Sequence, residues 1–146
     1  MNYELFMGEA LAEARLAAER GDRPVAAVAV IGEAMVARAH DRVGSDNDPT
    51  SHAVVGALRE AARRLGRERL ADATIFTTQE PCVMCVGALL ASDVEAVVFA
   101  APNDADGAAG TVLQLAQHAD LPRRIKVVSG IRRDEAEALS RASVTA

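Results

Sequence analysis

The sequence predicts an α/β domain built on a mixed sheet with helices on both faces. Three observations carry this reading. Apolar residues switch between helical spacing and continuous strand-like runs, giving the order α-β-β-α-β-α-β-α-β-α. Only two residues join the first two strands, so they form a hairpin, whereas later strands are separated by helical stretches that serve as crossovers. The chain has 146 residues and is 50% apolar, enough for one domain over 1–146 with a full core.

The elements follow in order. "NYELFMGEALAEARLAAERG" sets Phe6, Ala10, Ala14 and Ala17 on one side and charged residues on the other, an amphipathic helix ended by Gly21. "PVAAVAVI", behind Pro24, is a continuous apolar run and reads as a buried strand. The Gly32-Glu33 turn in "IGEAMVARA" leads into the second strand. "HDRVGSDNDPT" is a polar loop rich in turn residues. Helical spacing returns from Ser51 to about Leu65, with Val55, Leu58, Ala62 and Leu65 expected on one face. "ATIFTT" (73–78) is a strand, and "CVMCVGALLA" (82–91) is a short apolar helix expected to be buried. "VEAVVFA" (94–100) is a strand, "TVLQLAQH" is expected to be helical, "IKVVSG" is a strand, and "RRDEAEALSRAS" closes the chain as a surface helix. The five arginines between Arg59 and Arg69 read as a solvated helix face and its exit loop.

Composition narrows the function. The formal net charge is −5, Lys126 is the single lysine and tryptophan is absent. Proteins that gain affinity by neutralising phosphates carry the opposite balance, so long nucleic acid is disfavoured as a partner. No apolar run is long enough to span a bilayer, and the N-terminus lacks a basic stretch followed by an apolar one. A cytoplasmic protein with no membrane partner is expected.

The only two cysteines are Cys82 and Cys85, in "EPCVMC". At this spacing metal binding or redox chemistry is favoured over a structural disulfide. A dithiol redox pair and two small packed residues are the competing readings. Pro81 suits the entry to a helix, whose first turn offers free N–H groups and a positive dipole end. Both lower thiol pKa values, and thiolate is the form that binds metal. His52 stands at the mouth of the preceding helix, after "DPT". One imidazole and two thiolates fill three tetrahedral positions and leave one open, the arrangement of catalytic zinc.

In these motifs the chain resembles the cytidine deaminase superfamily, in the branch that holds tRNA adenosine deaminases and bacterial guanine deaminases. The family signature is H-x-E…P-C-x-x-C. "RPVAAVAVI", "NDPTSHA", "ATIFTTQEPCVMCVGALL", "VEAVVFAAPND" and "GAAGTVLQLAQH" carry the likeness over nearly the whole chain. The resemblance implies a three-layer α/β/α sandwich around a five-stranded mixed sheet, with one Zn2+ per chain on His52, Cys82 and Cys85. It implies hydrolytic deamination of a nucleobase, nucleoside or related heterocycle by water made nucleophilic at the metal. It places Asp41, Ala53 and Asn103 at the substrate, and it implies a homodimer.

The departures matter as much. The residue two after the zinc histidine is glutamate in the family, where it shuttles protons without touching the metal. Here it is Val54, which has no ionisable proton. General acid–base catalysis is worth roughly 10²–10⁴-fold, so deamination is expected to be severely impaired. Glu80, beside the ligand loop, is a weak candidate to stand in. An inactive ligand-binding module, or the inactive partner of an active paralogue, is the first alternative; a tRNA adenosine deaminase is the second. Asp41 replaces an asparagine, and as an ionised carboxylate it only accepts, favouring a donor-rich or cationic ligand. Asn103 replaces an aspartate near the ribose, with loop capping as its other reading. The chain ends in "SRASVTA" without a basic tail, which moves the expectation from tRNA towards a small heterocycle or nucleoside.

Overall fold

The structure is a computed structural model that describes residues 1–145; Ala146, the last residue of "SRASVTA", lies outside them. The elements are α1 (Tyr3–Glu19), β1 (Ala26–Ile31), β2 (Ala34–His40), α2 (Val43–Asp46), α3 (Ala53–Leu65), β3 (Thr74–Gln79), α4 (Val83–Ser92), β4 (Ala96–Ala101), β5 (Lys126–Ser129) and α5 (Arg133–Thr145). The sheet order is β2-β1-β3-β4-β5. β1 runs antiparallel to both β2 and β3, while β3, β4 and β5 are parallel, so the sheet is mixed as expected. The hairpin turn needs left-handed backbone at both central residues, and Gly32 and Glu33 supply it with φ of 56° and 68°.

Successive strand residues face opposite sides of the sheet and so feed two separate cores. Ile75 and Val97 join Val54, Leu58 and Leu89 under α3 and α4. Phe76 and Val98 join Phe6, Met7 and Ala136 under α1 and α5. The result is the three-layer α/β/α sandwich. The Asn2 side chain caps α1 by accepting from Leu5 N–H at 3.0 Å.

Four expectations are corrected. Residues 111–118 form no helix. Their spacing fits one, but the backbone donors are taken by the preceding segment: Val112 and Leu113 N–H donate to the Gly107 carbonyl, and Leu115 N–H to Ala108. On α3 the buried face is Ala53, Val54, Ala57, Leu58 and Ala61, and Leu65 is exposed. Small residues set that face, because α3 lies so close to β2 that a Cβ on Gly56 would meet Ala39 Cβ at 3.0 Å. α4 is only half covered, with Cys85, Val86 and Leu89 buried but Val83 and Met84 exposed. Inside the polar loop, residues 43–46 make the single turn α2, whose C-cap Asn47 is left-handed.

Candidate metal centre

Two helix N-termini converge beyond the ends of β2 and β3, beside the start of β1. His52 is the N-cap of α3 and Cys82 the N-cap of α4. Both have extended backbone, and neither side chain caps its own helix, so the imidazole and the thiol are free to turn towards each other. Cys85 follows one turn into α4 and is buried. His52 Nδ1 lies 3.5 Å from Cys82 Sγ and 3.5 Å from Cys85 Sγ. Zn–S near 2.3 Å and Zn–N near 2.0–2.1 Å at a tetrahedral angle require an N···S separation of about 3.5 Å. The observed spacing fits zinc, and among the described residues these three form the group able to hold a metal.

The electrostatics suit the same ion. Cys82 is held down to about 5, first by the hydrogen bond from the Cys85 thiol and then by the Cys85 backbone N–H and the charge of His52. Cys85 is pushed up because its thiol donates to Cys82 and because it is buried beside that thiolate. Without metal the pair shares one proton. A cation at the centre of the triangle removes it, since a coordinating thiol is deprotonated outright.

Around this centre lies a pocket of about 50 Å³, lined by Val54, Asp41, Glu80, Asn103, Arg23 and Gln79 among others. Val54 is 3% exposed, so its isopropyl group forms wall and core at once. Ala53 is buried at the start of α3 beside it. Glu80 is 2% exposed. Its Oε1 accepts from Asn103 N–H at 3.2 Å and from the Thr111 hydroxyl. Its Oε2 accepts from Ala109 N–H at 3.0 Å and Thr111 N–H at 3.1 Å. This carboxylate ties the 103–111 loop to the end of β3. Gly107 belongs to the same knot: a Cβ there would lie 2.5 Å from the Asn103 carbonyl and 2.6 Å from Glu80 Cδ. Asn103 is a loop cap, its Oδ1 accepting from Ala105 and Asp106 N–H and its Nδ2 donating to Asp106.

Asp41 is not a free acceptor. Oδ2 takes two hydrogen bonds from Arg23, at 2.6 Å from Nη2 and 3.1 Å from Nε, and Oδ1 accepts from Val43 N–H. Asp41 is buried, while Arg23 keeps 60% of its side chain exposed at the pocket mouth. Sequence reasoning missed Arg23. The only signal was its place next to the Pro24 that opens β1, too weak to link it with Asp41.

Comparison with known proteins agrees with the geometry. Residues 1–101 match the cytidine and deoxycytidylate deaminase zinc-binding region. The tRNA-specific adenosine deaminase of Bacillus subtilis (strain 168) is 41% identical over 132 residues, covering 90% of this chain and 82% of that protein. The tRNA-specific adenosine deaminase of Aquifex aeolicus (strain VF5) is 37% identical over 126 residues, 86% of this chain and 83% of that one. A structure from studies of A-to-I editing by tRNA:A34 deaminases superposes with a TM-score of 0.89 at 32% identity, over 92% of this chain and 98% of that chain. The guanine deaminase from Nitrosomonas europaea superposes with a TM-score of 0.82 at 29% identity, over 98% and 85%. With His52, Cys82 and Cys85 positioned for one zinc ion, the chain belongs to the cytidine and deoxycytidylate deaminase zinc-binding family.

Proposed function

We propose that this chain binds a nucleobase-type heterocycle over its zinc centre and that Val54 leaves deamination severely impaired. One observation carries the reading: Asp41, Glu80 and Asp106, which all line the pocket, are each held by a hydrogen-bond donor. Glu80 accepts four hydrogen bonds, so it is a loop anchor and not a substitute shuttle.

Zinc supplies the Lewis acidity that makes water nucleophilic near neutral pH. His52, Cys82 and Cys85 would hold it, and among the described residues none beside them is placed to move a proton between water and ring. A ring over the metal would meet Arg23 and the loop of Asn103, which line the same pocket. Because Arg23 neutralises Asp41, the pocket mouth offers guanidinium donors. The ligand this favours is acceptor-rich or anionic, the reverse of what Asp41 alone implies.

We also propose self-association through exposed apolar residues: Val83 and Met84 on α4, and Val112 and Leu113 on the loop beside it. The Cys82–Gly107 bridge joins that loop to the start of α4.

The test is ammonia release from guanine, adenine, cytosine and their nucleosides by the parent chain and by Val54→Glu, each carrying about one zinc. Turnover only in the Glu variant is expected, with a gain of roughly 10²–10⁴-fold. Parent activity equal to the variant's overturns the reading.

A further inference from the structure

Behind the metal pocket is a second cleft, of about 380 Å³, formed where the end of α1, β2 and α3 meet. Arg20, Arg38, Arg42, Arg59 and Arg63 line it. Its carboxylates are already matched. Glu13 lies 2.5 Å from His40 Nδ1, Asp46 pairs with Arg42, and Glu60 pairs with Arg64 on the same helix. Arg38 pairs with Glu9. The guanidinium groups of Arg20, Arg59 and Arg63 make no hydrogen bond or ion pair among the described residues, Arg59 having only a longer-range attraction to Asp48, so three guanidinium groups from two elements face one cleft without a direct partner. In a chain of net charge −5 this is a local reversal of sign. The other arginines of the 59–69 run behave as solvated surface, Arg67 pairing with Asp72 and Arg69 with Asp93.

A second observation comes from the wall of the cleft. His40 is 6% exposed, and its Nε2 is a buried side-chain nitrogen with no hydrogen-bond partner among the described residues. Such a group is costly to leave unsatisfied, and an unseen ion or water is a usual explanation. Nδ1 lies 2.5 Å from the Glu13 carboxylate, which leaves Nε2 as the ring's unpartnered polar atom. Several guanidinium groups facing one cleft, with an unpartnered imidazole nitrogen in its wall, are the chemistry that takes a phosphate oxyanion.

We infer that this cleft binds a phosphate group next to the metal pocket. The two sites abut through consecutive residues: Asp41 and His52 line the pocket, Arg42 and Ser51 line the cleft, and Arg42 N–H donates to the Ser51 carbonyl at 3.0 Å. The phosphate has two possible sources, a free mononucleotide or the backbone of single-stranded RNA. Neither requires that a base be deaminated.

The experiment uses the full zinc-loaded chain and the double variant Arg59→Ala/Arg63→Ala, with zinc content measured in both. Inorganic phosphate, adenosine 5′-monophosphate and a short single-stranded RNA are titrated by calorimetry, the RNA at several salt concentrations. Expected is phosphate binding by the parent that weakens at least about tenfold in the variant (about 1.4 kcal/mol) at unchanged zinc content. If RNA supplies the phosphate, the salt slope falls by about 1.4 in the variant, since each neutralised phosphate contributes about 0.7 on a single strand. If a mononucleotide does, adenosine 5′-monophosphate follows the same loss while RNA is not bound. A parent that binds none of the three probes, or a variant that binds them as the parent does, overturns the inference. Loss of zinc from the parent would count against the metal centre alone.

Discussion

At the scale of single residues, the sequence revealed identity but not partnership. His52, Cys82 and Cys85 were legible because their chemistry is local: each lies at a helix mouth that a run of a few residues announces. Asp41 was misjudged for the opposite reason. Its partner Arg23 lies 18 residues upstream, and only the β1–β2 hairpin brings the two together. The cysteine pair carries a pH prediction. Cys82 is held down to about 5, so it is thiolate at pH 7, while Cys85, pushed up, keeps its proton. Zinc loading should therefore release about one proton from the two cysteines at pH 7 and about two near pH 4, where Cys82 is also protonated, with any proton on His52 adding to either count because the metal takes neutral imidazole. Affinity accordingly falls more steeply with acidity below about pH 5 than above it. Zinc titration in weakly buffered solution with a pH indicator measures the count. Ultraviolet thiolate absorbance of the metal-free protein assigns the source, and no thiolate at pH 7 would show that Cys82 is not ionised.

At the scale of elements, strands were the most readable features, because buried apolar runs and a two-residue turn leave little choice of structure. The helix expected at 111–118 failed because periodicity says nothing of where backbone donors go. Here they go back to Gly107 and Ala108. That loop is held by Glu80, an acid whose motif position suggested chemistry and whose surroundings make it an anchor. Gly107 is the tightest point of the anchor. Gly107→Ala forces a methyl into the Asn103 carbonyl and the Glu80 carboxylate, so either the loop or the carboxylate must move. Overpacking of this kind costs about 1–3 kcal/mol. Denaturant unfolding should show that loss as a lower midpoint at unchanged slope. Gly87→Ala is the control, because a Cβ there meets nothing within 4 Å.

At the scale of the whole molecule, charge and apolar surface point in different directions. A net charge of −5 opposes nonspecific binding to polyanions, yet the cleft of Arg20, Arg59 and Arg63 shows that the total hides a local excess. Composition alone gave only the total, and the fold supplied the distribution. The half-covered α4 is the parallel case for apolar surface. Its mean composition predicted burial, but the sheet covers only the side of Cys85, Val86 and Leu89. Val83, 45% exposed, and Met84, 36%, remain outside, as do Val112 and Leu113 on the loop that the Cys82–Gly107 bridge ties to the start of α4, and exposed apolar groups gathered in one patch would suit an interface. If a second copy covers it, a charge at its centre should separate the subunits without touching the metal. Met84→Glu sits between the two cysteines in sequence but points away from them, since Cys85 is buried and Met84 is not. Analytical ultracentrifugation should show a dimer for the parent and a monomer for the variant, with zinc near one per chain in both. A dimer that survives Met84→Glu places the interface elsewhere, and a monomeric parent leaves the α4 patch to a different protein, such as an active paralogue.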